Sequence, residues 1–233
     1  MAYILCIETS SDLCSVAIAE NNTMVASKTV QDRNSHSSGL ALYINEILEE
    51  AKLTINQVDA IAVSKGPGSF TGLRIGVSLA KGIAFALDLP LIAVSTMKSL
   101  TNQVIKANDH ELYYCPIIDA KNGELYYAMY DKDYIPIHDV KVGLPEEVIW
   151  HGPIALNQVV FFGDGIEKIR DRINQAGGII VENIKPEAKY MIPLASEKFN
   201  YKDFEDLQYF EPFYLKDFKA RKSSEKLRRV LNR

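Results

Sequence analysis

The sequence predicts an α/β protein of two similar subdomains, each a mixed five-stranded sheet with flanking helices. The first observation is an order of elements that occurs twice. Apolar runs and helical patterns read strand-strand-strand-helix-strand-helix-strand-helix to Asn108, and the pattern restarts at Leu112 and runs to Asn200. The second is size. A chain of 233 residues holds one large domain or two of about 100 residues each. The third is composition: 47% of the residues are hydrophobic, enough for a core without disulfide or metal staples.

The elements follow in order. Tyr3–Glu8 is an apolar strand, Thr9-Ser10-Ser11-Asp12 a polar turn, and Leu13–Glu20 a second strand. Asn21-Asn22 is hairpin chemistry before a third strand, Met24–Val30. After a polar loop, a helix from about Ser37 to Lys52 has Ser37 or Ser38 as its N-cap and Leu40, Ile44, Ile47, Leu48 and Ala51 on one face. Thr54 caps a short turn. Val58–Ser64 is a fourth strand, Thr71–Leu87 a helix with Thr71 as candidate cap, Leu91–Val94 a fifth strand and Ser95–Asn108 a third helix.

In the second half, strands fall at Leu112–Asp119, Glu124–Tyr130, Tyr134–Val142 (interrupted at Pro136), Val159–Phe162 and Ile179–Glu182. Helices are expected at Pro145–Trp150, Ile166–Ala176 and Glu187–Asn200. The chain therefore divides at 1–108, 109–215 and a basic tail, 216–233, read as disordered or as a marginal helix. The aromatic run from Tyr201 to Phe218 is expected to pack back on the body.

The net charge of −4 argues against a nucleic-acid coat, but it is unevenly spread. Eight basic residues from Lys216 to Arg233 face only Asp217 and Glu225. That tail has an RNA reading through phosphate contacts, yet no aromatics follow Phe218 for stacking on bases, which favours a solvated tail. Cys6, Cys14 and Cys115 are odd in number and lack C-x-x-C spacing, so they read as buried thiols in a reducing compartment. Cys6 and Cys14 could lie opposite each other in a hairpin. No basic n-region followed by an apolar h-region is read at the start, and no apolar stretch is expected to reach membrane-spanning length. The expectation is a cytoplasmic protein without a membrane partner.

The stretch Ile61–Ser78 carries the strongest signal. A buried strand empties into Lys65-Gly66-Pro67-Gly68-Ser69-Phe70, and a helix follows at once. Such a turn can present backbone N–H groups to an anion, or can simply fold a strand under a helix. No G-x-x-x-x-G-K-[ST] string is present. On the helix, Gly72, Gly76, Ala80 and Ala84 fall on one face, which suits close approach of another backbone. That backbone can be the protein's own sheet or first helix, or a second subunit.

The strings I-E-T-S-S-D with S-V-A-I, then K-G-P-G-S-F-T-G-L-R-I-G, then P-L-I-A-V-S-T, resemble the bacterial TsaB (YeaZ) family. The match continues through Ile118-Asp119-Ala120, Gly123-Glu124-Leu125-Tyr126 and Gly163-Asp164-Gly165. The resemblance implies two actin-like, ribonuclease H-like subdomains of the actin, Hsp70 and sugar-kinase superfamily. It also implies a non-catalytic scaffold that activates TsaD in placing N6-threonylcarbamoyladenosine at position 37 of tRNAs reading A-starting codons.

The implied partners are a TsaD-like catalytic subunit, a TsaE-like ATPase, a second copy of the chain when alone, and tRNA indirectly. The implied contact surface lies on the first two helices, at Leu40, Tyr43, Ile44, Ile47, Gly72, Gly76 and Ala80. TsaD-like relatives hold a metal with a V-N-H-x-x-G-H string. Here Thr96 and Leu100 stand at the histidine positions, and His36, His110, His138 and His151 are scattered. Neither a metal site nor a catalytic site is expected.

A nucleotide cleft would draw on Thr9, Ser10 and Asp12 in the first hairpin turn and on Gly163 and Gly165. Each has a plain structural alternative, a polar turn and a helix cap respectively, and the second hairpin turn, Ala120–Gly123, has a single glycine. Any ATP or ADP is expected only at the complex interface. The competing reading is an independent nucleotide-binding enzyme of the same superfamily.

Overall fold

The computed structural model describes residues 1–31, 35–105, 112–148 and 154–216. Strands β1 (Tyr3–Glu8), β2 (Leu13–Glu20), β3 (Thr23–Gln31), β4 (Ala60–Gly66) and β5 (Leu91–Ser95) form one sheet in the order β3-β2-β1-β4-β5. Strands β6 (Tyr113–Asp119), β7 (Leu125–Tyr130), β8 (Pro136–Gly143), β9 (Val159–Phe162) and β10 (Ile179–Val181) repeat it as β8-β7-β6-β9-β10. In each sheet a hairpin meander is followed by two parallel strands. The helices are α1 (Ser35–Glu50), α2 (Phe70–Leu87), α3 (Thr96–Ile105), α4 (Arg170–Gln175) and α5 (Ile192–Tyr201).

Local chemistry explains the ends of these elements. Ser69, not Thr71, caps α2: its Oγ accepts from Gly72 N at 3.2 Å. Ser37 and Ser38 lie inside α1, which begins at Ser35. Thr54 opens a 3₁₀ turn over Ile55–Gln57, with the Gln57 side chain accepting from the Thr54 N–H at 2.9 Å. Pro136 starts β8 instead of interrupting it, because a first strand residue needs no N–H for the ladder. Residues 145–147 form a turn where a helix was expected, and Ile149 and Trp150 lie outside the described residues. A 3₁₀ turn, Ile166–Lys168, precedes the short α4, and another, Ala188–Met191, precedes α5.

Packing crosses the sequence halves. The inner face of the first sheet (Leu5, Ile7, Val16, Ile18, Ile61, Val63) takes α1 and α2. Its other face carries the small side chains Cys6, Ala17, Ala19, Ala60 and Ala62 with Ile4, Ile92 and Val94, and takes Met191, Ile192 and Ala195 of the second half. In return Met97, Leu100 and Val104 of α3 cover the second sheet at Tyr114, Ala128, Val160 and Phe162. Each half thus lends a helix to the other. The expected division at 108/109 falls outside the described residues, as does the basic tail beyond Lys216.

After α5 the chain runs back as a strap, residues 203–216, consistent with the expected return of the aromatic run. Glu205 N donates to Leu91 O at 2.8 Å at the β5 edge, and Phe213 N to Lys65 O at 2.7 Å. Phe210 is buried in the first core, and its carbonyl accepts from Lys81 Nζ at 3.0 Å. Lys216 then reaches the second subdomain, donating to Ala120 O at 3.1 Å and pairing with Glu124.

Two further expectations are corrected. Cys6 lies opposite Ala17, and Cys14 opposite Val30, so the two cysteines are not hairpin partners; all three cysteines are buried thiols. α2 is long and apolar enough, by length and composition, to cross a membrane. In the fold it is a core helix, with Leu73, Gly76, Val77, Ala80 and Ala84 buried.

Candidate functional site

The two hairpin turns face one cleft of about 1210 Å³ between the sheets. Ser10, Ser11 and Asp12 line one wall, with the N-terminus of α2, and Asp119, Ala120, Lys121 and Asn122 line the other. Asp164, Lys185, Phe213, Tyr214 and Lys216 complete it. The sequence-predicted turns therefore do meet.

Several of their backbone donors are used inside the protein. Ser10 N donates to the buried Glu8 Oε1 at 2.7 Å, Thr9 N to Ser64 Oγ at 3.4 Å, and Leu13 N to Ser11 Oγ at 3.0 Å. Ser69 N donates to Ser10 O at 2.6 Å, so the start of α2 is docked on the first turn. In the second turn Asp119 N donates to Asp164 Oδ1 at 2.8 Å, Lys121 N to Asp119 Oδ1 at 2.8 Å, and Ala120 N to Glu124 O at 3.0 Å. Four carboxylates, Asp12, Asp119, Glu124 and Asp164, face the cleft alongside Lys121, Lys185 and Lys216.

The charges there are partly neutralised. Burial disfavours the Asp119 carboxylate, but Lys168 Nζ at 2.5 Å and the Lys121 backbone and side chain hold it below the ordinary range. Asp12 Oδ2 accepts from Gln31 Nε2 at 3.2 Å. Glu8, which the sequence presents only as the end of a strand, is fully buried. Burial pushes its pKa up against the hydrogen bonds it accepts, and its Oε2 has no partner. Thr9 Oγ1 and Ser10 Oγ are likewise buried without partners.

Gly163 and Gly165 do not line the cleft. Gly165 N donates to Ile117 O at 3.0 Å, and a Cβ on Gly163 (φ +113°) would fall 2.2 Å from that carbonyl. Their role is to close the chain on β6, while Asp164 between them reaches the cleft. Thr96 and Leu100, expected at the histidine positions of TsaD-like relatives, are both buried, Leu100 within the second core. Among the described residues no group of three His, Cys, Asp or Glu side chains is placed to hold a metal. Of the four histidines, the His110 and His151 residues and the His36 side chain lie outside what is described.

The helix surface also differs from expectation. Leu40, Ile44 and Ile47 point into the first core. Tyr43 is half-buried, with Lys28 Nζ 5.1 Å from its ring centre. Ala80 is buried on the same core, and a Cβ on Gly72 or Gly76 would fall 2.0 Å from Thr9 O or 2.2 Å from Thr9 Oγ1. The small-residue face therefore seats α2 on the β1–β2 turn of its own chain, the internal alternative.

The opposite face is open. Phe85 is 81% exposed and Leu42 55%, and nothing approaches the Cβ position of Gly82. Ser78, Gly82 and Ala86 form a second small-residue stripe at steps of four, flanked by half-buried Ile75, Leu79 and Ile83. That spacing was readable in the sequence; which stripe faced inward was not.

Two sheets of one topology, with exchanged helices and paired hairpin turns around a shared cleft, define an actin-like protein of two ribonuclease H-like subdomains. The family described as TsaD, tRNA N6-adenosine threonylcarbamoyltransferase, matches residues 25–223. The chain is 29% identical over 220 residues to the tRNA threonylcarbamoyladenosine biosynthesis protein TsaB of Escherichia coli, covering 92% of this chain and 94% of that one. It is 30% identical to TsaB of Buchnera aphidicola from Baizongia pistaciae, covering 92% and 98%. The crystal structure of YeaZ from Pseudomonas aeruginosa superposes with a TM-score of 0.81 at 27% identity, over 92% of this chain and all of that one. The chain belongs to the TsaB family, and its function lies in tRNA threonylcarbamoyladenosine biosynthesis.

Proposed function

We propose that this chain is an accessory subunit that binds and supports a TsaD-like transferase through the outward face of α1 and α2, and performs no group transfer itself. The observation that carries this reading is Phe85, an aromatic ring 81% exposed beside a mid-helix glycine with nothing opposite it. A helix-interior glycine costs about 1 kcal/mol relative to alanine, and a close backbone contact offsets that cost. On the same two helices Leu42, Ser78 and Ala86 are exposed and Ile75 and Leu79 half-buried. The same face pairs two copies when the transferase is absent. A TsaE-like ATPase joins the assembly, tRNA reaches the catalytic subunit, and the setting is the cytoplasm.

The competing reading, an independent nucleotide-binding enzyme, is opposed by the inward-turned donors of both hairpin turns. Any nucleotide is held at the complex interface. Two experiments test this. Size-exclusion chromatography with the cognate TsaD-like protein should give co-migration that Phe85→Glu abolishes. Calorimetric titration of the isolated chain with Mg·ATP should give no binding heat at millimolar ligand; saturable heat would restore the competing reading.

A further inference from the structure

The exposed stripe of α2 starts with a cation. Arg74, Ser78, Gly82 and Ala86 follow at steps of four and are all exposed, so Arg74 stands at one end of the face and Phe85 near the other. No acid on the helix answers it. Phe70–Leu87 contains no Asp or Glu, and its other charged side chain, Lys81, is bonded to Phe210 O at 3.0 Å. A cation near a helix start gains nothing from the macrodipole, which favours acids there.

The side chain is nonetheless held in place. Its guanidinium lies 4.2 Å from the ring centre of Phe70 and 5.9 Å from that of Tyr214, whose hydroxyl accepts from Nε at 3.3 Å. The two rings are 5.0 Å apart, centre to centre. The strap fixes Tyr214, because the neighbouring Phe213 N donates to Lys65 O at 2.7 Å. None of the ion pairs among the described residues includes Arg74. A guanidinium held through Nε and its flat face still has Nη N–H groups to offer, and a pair of these fits one carboxylate side by side.

We infer that Arg74 makes this face prefer the TsaD-like subunit to a second copy of the chain, by pairing with a carboxylate of that subunit. The inference rests on the accessory-subunit reading. It adds the chemistry of the partner's matching surface, apolar against Gly82 and Phe85 and acidic against Arg74. A second copy laid α2 against α2 brings no acid to Arg74. Both guanidiniums then lose water without gaining a counter-charge, which costs affinity. Because rings and strap order the side chain before binding, little of its rotamer freedom is lost on pairing.

The test compares two equilibria: calorimetric titration of the chain with the cognate TsaD-like protein, and sedimentation equilibrium of the chain alone. Arg74→Gln should weaken the mixed complex about tenfold or more, as truncation of an interface arginine does, and leave self-association as strong as wild type or stronger. Arg74→Lys keeps the charge without the planar fork and should recover part of the loss. Added salt should weaken the wild-type mixed complex more than the Arg74→Gln complex. Unchanged affinity of Arg74→Gln for the TsaD-like protein, or an equal loss in both equilibria, overturns the inference. So does Arg74→Lys binding no better than Arg74→Gln. In those cases a wild-type complex that Phe85→Glu abolishes leaves the accessory-subunit reading standing, whereas absence of any wild-type complex removes both.

Discussion

Gly76 and Gly82 lie on one helix and do opposite work. Gly76 is pressed on Thr9, with no room for a Cβ, whereas Gly82 faces open space. Gly76→Leu should therefore destabilise the chain by about 3 kcal/mol or more, as overpacking does, measured by urea denaturation. Gly82→Ala should raise stability by about 1 kcal/mol, from helix propensity, and still weaken association with the TsaD-like subunit. Both glycines were visible in the sequence, and so was the step of four. Their assignment to inside or outside depends on the β1–β2 turn, which no local pattern positions.

Glu8 gives a second residue-scale expectation. Its folded pKa is raised by burial above the ordinary 4.5, so the folded state favours the protonated form. The sign follows: its contribution is fully present below the ordinary value and declines as pH rises toward the folded value. Glu8→Gln keeps an oxygen for the Ser10 N–H and removes the ionisation. It should raise the thermal midpoint near neutral pH and change it little at about pH 4. A midpoint gain that is the same at both pH values would contradict the assignment.

At the scale of elements, the repeated order of strands and helices was legible because alternating and helical apolar periods survive in single segments. The ten strands among the described residues fall where those periods place them, within a few residues at their ends. The exchange of α3 and α5 was not legible. It depends on the alanine-rich outer face of the first sheet, which admits a close helix only once the strands are assembled. The strap was legible as aromatic packing, but not as a bridge from the β5 edge to the second hairpin turn. Its anchor is Phe210, buried in the first core with its carbonyl on Lys81. Phe210→Ala should cost about 3 kcal/mol and release the strap to proteolysis under native conditions, read by limited digestion and mass spectrometry.

At the scale of the molecule, the paired turns and the cleft were legible from I-E-T-S-S-D and from the second turn at Ala120–Gly123. The cleft's chemistry was not, because it lies in where the backbone donors point. Those donors serve Glu8, Ser64, Asp119 and Asp164, and the α2 start serves Ser10. The two turns face a shared cleft while these donors serve the protein's own atoms, and exposed apolar surface lies on the back of α2. The most direct test is the affinity of Phe85→Glu, and of Gly82→Leu, for the cognate TsaD-like protein by isothermal calorimetry, with thermal midpoints recorded for each variant. Both variants should fold with midpoints near wild type and bind at least about a hundredfold more weakly, the scale of an interface hot spot. Wild-type affinity in both folded variants would contradict the account.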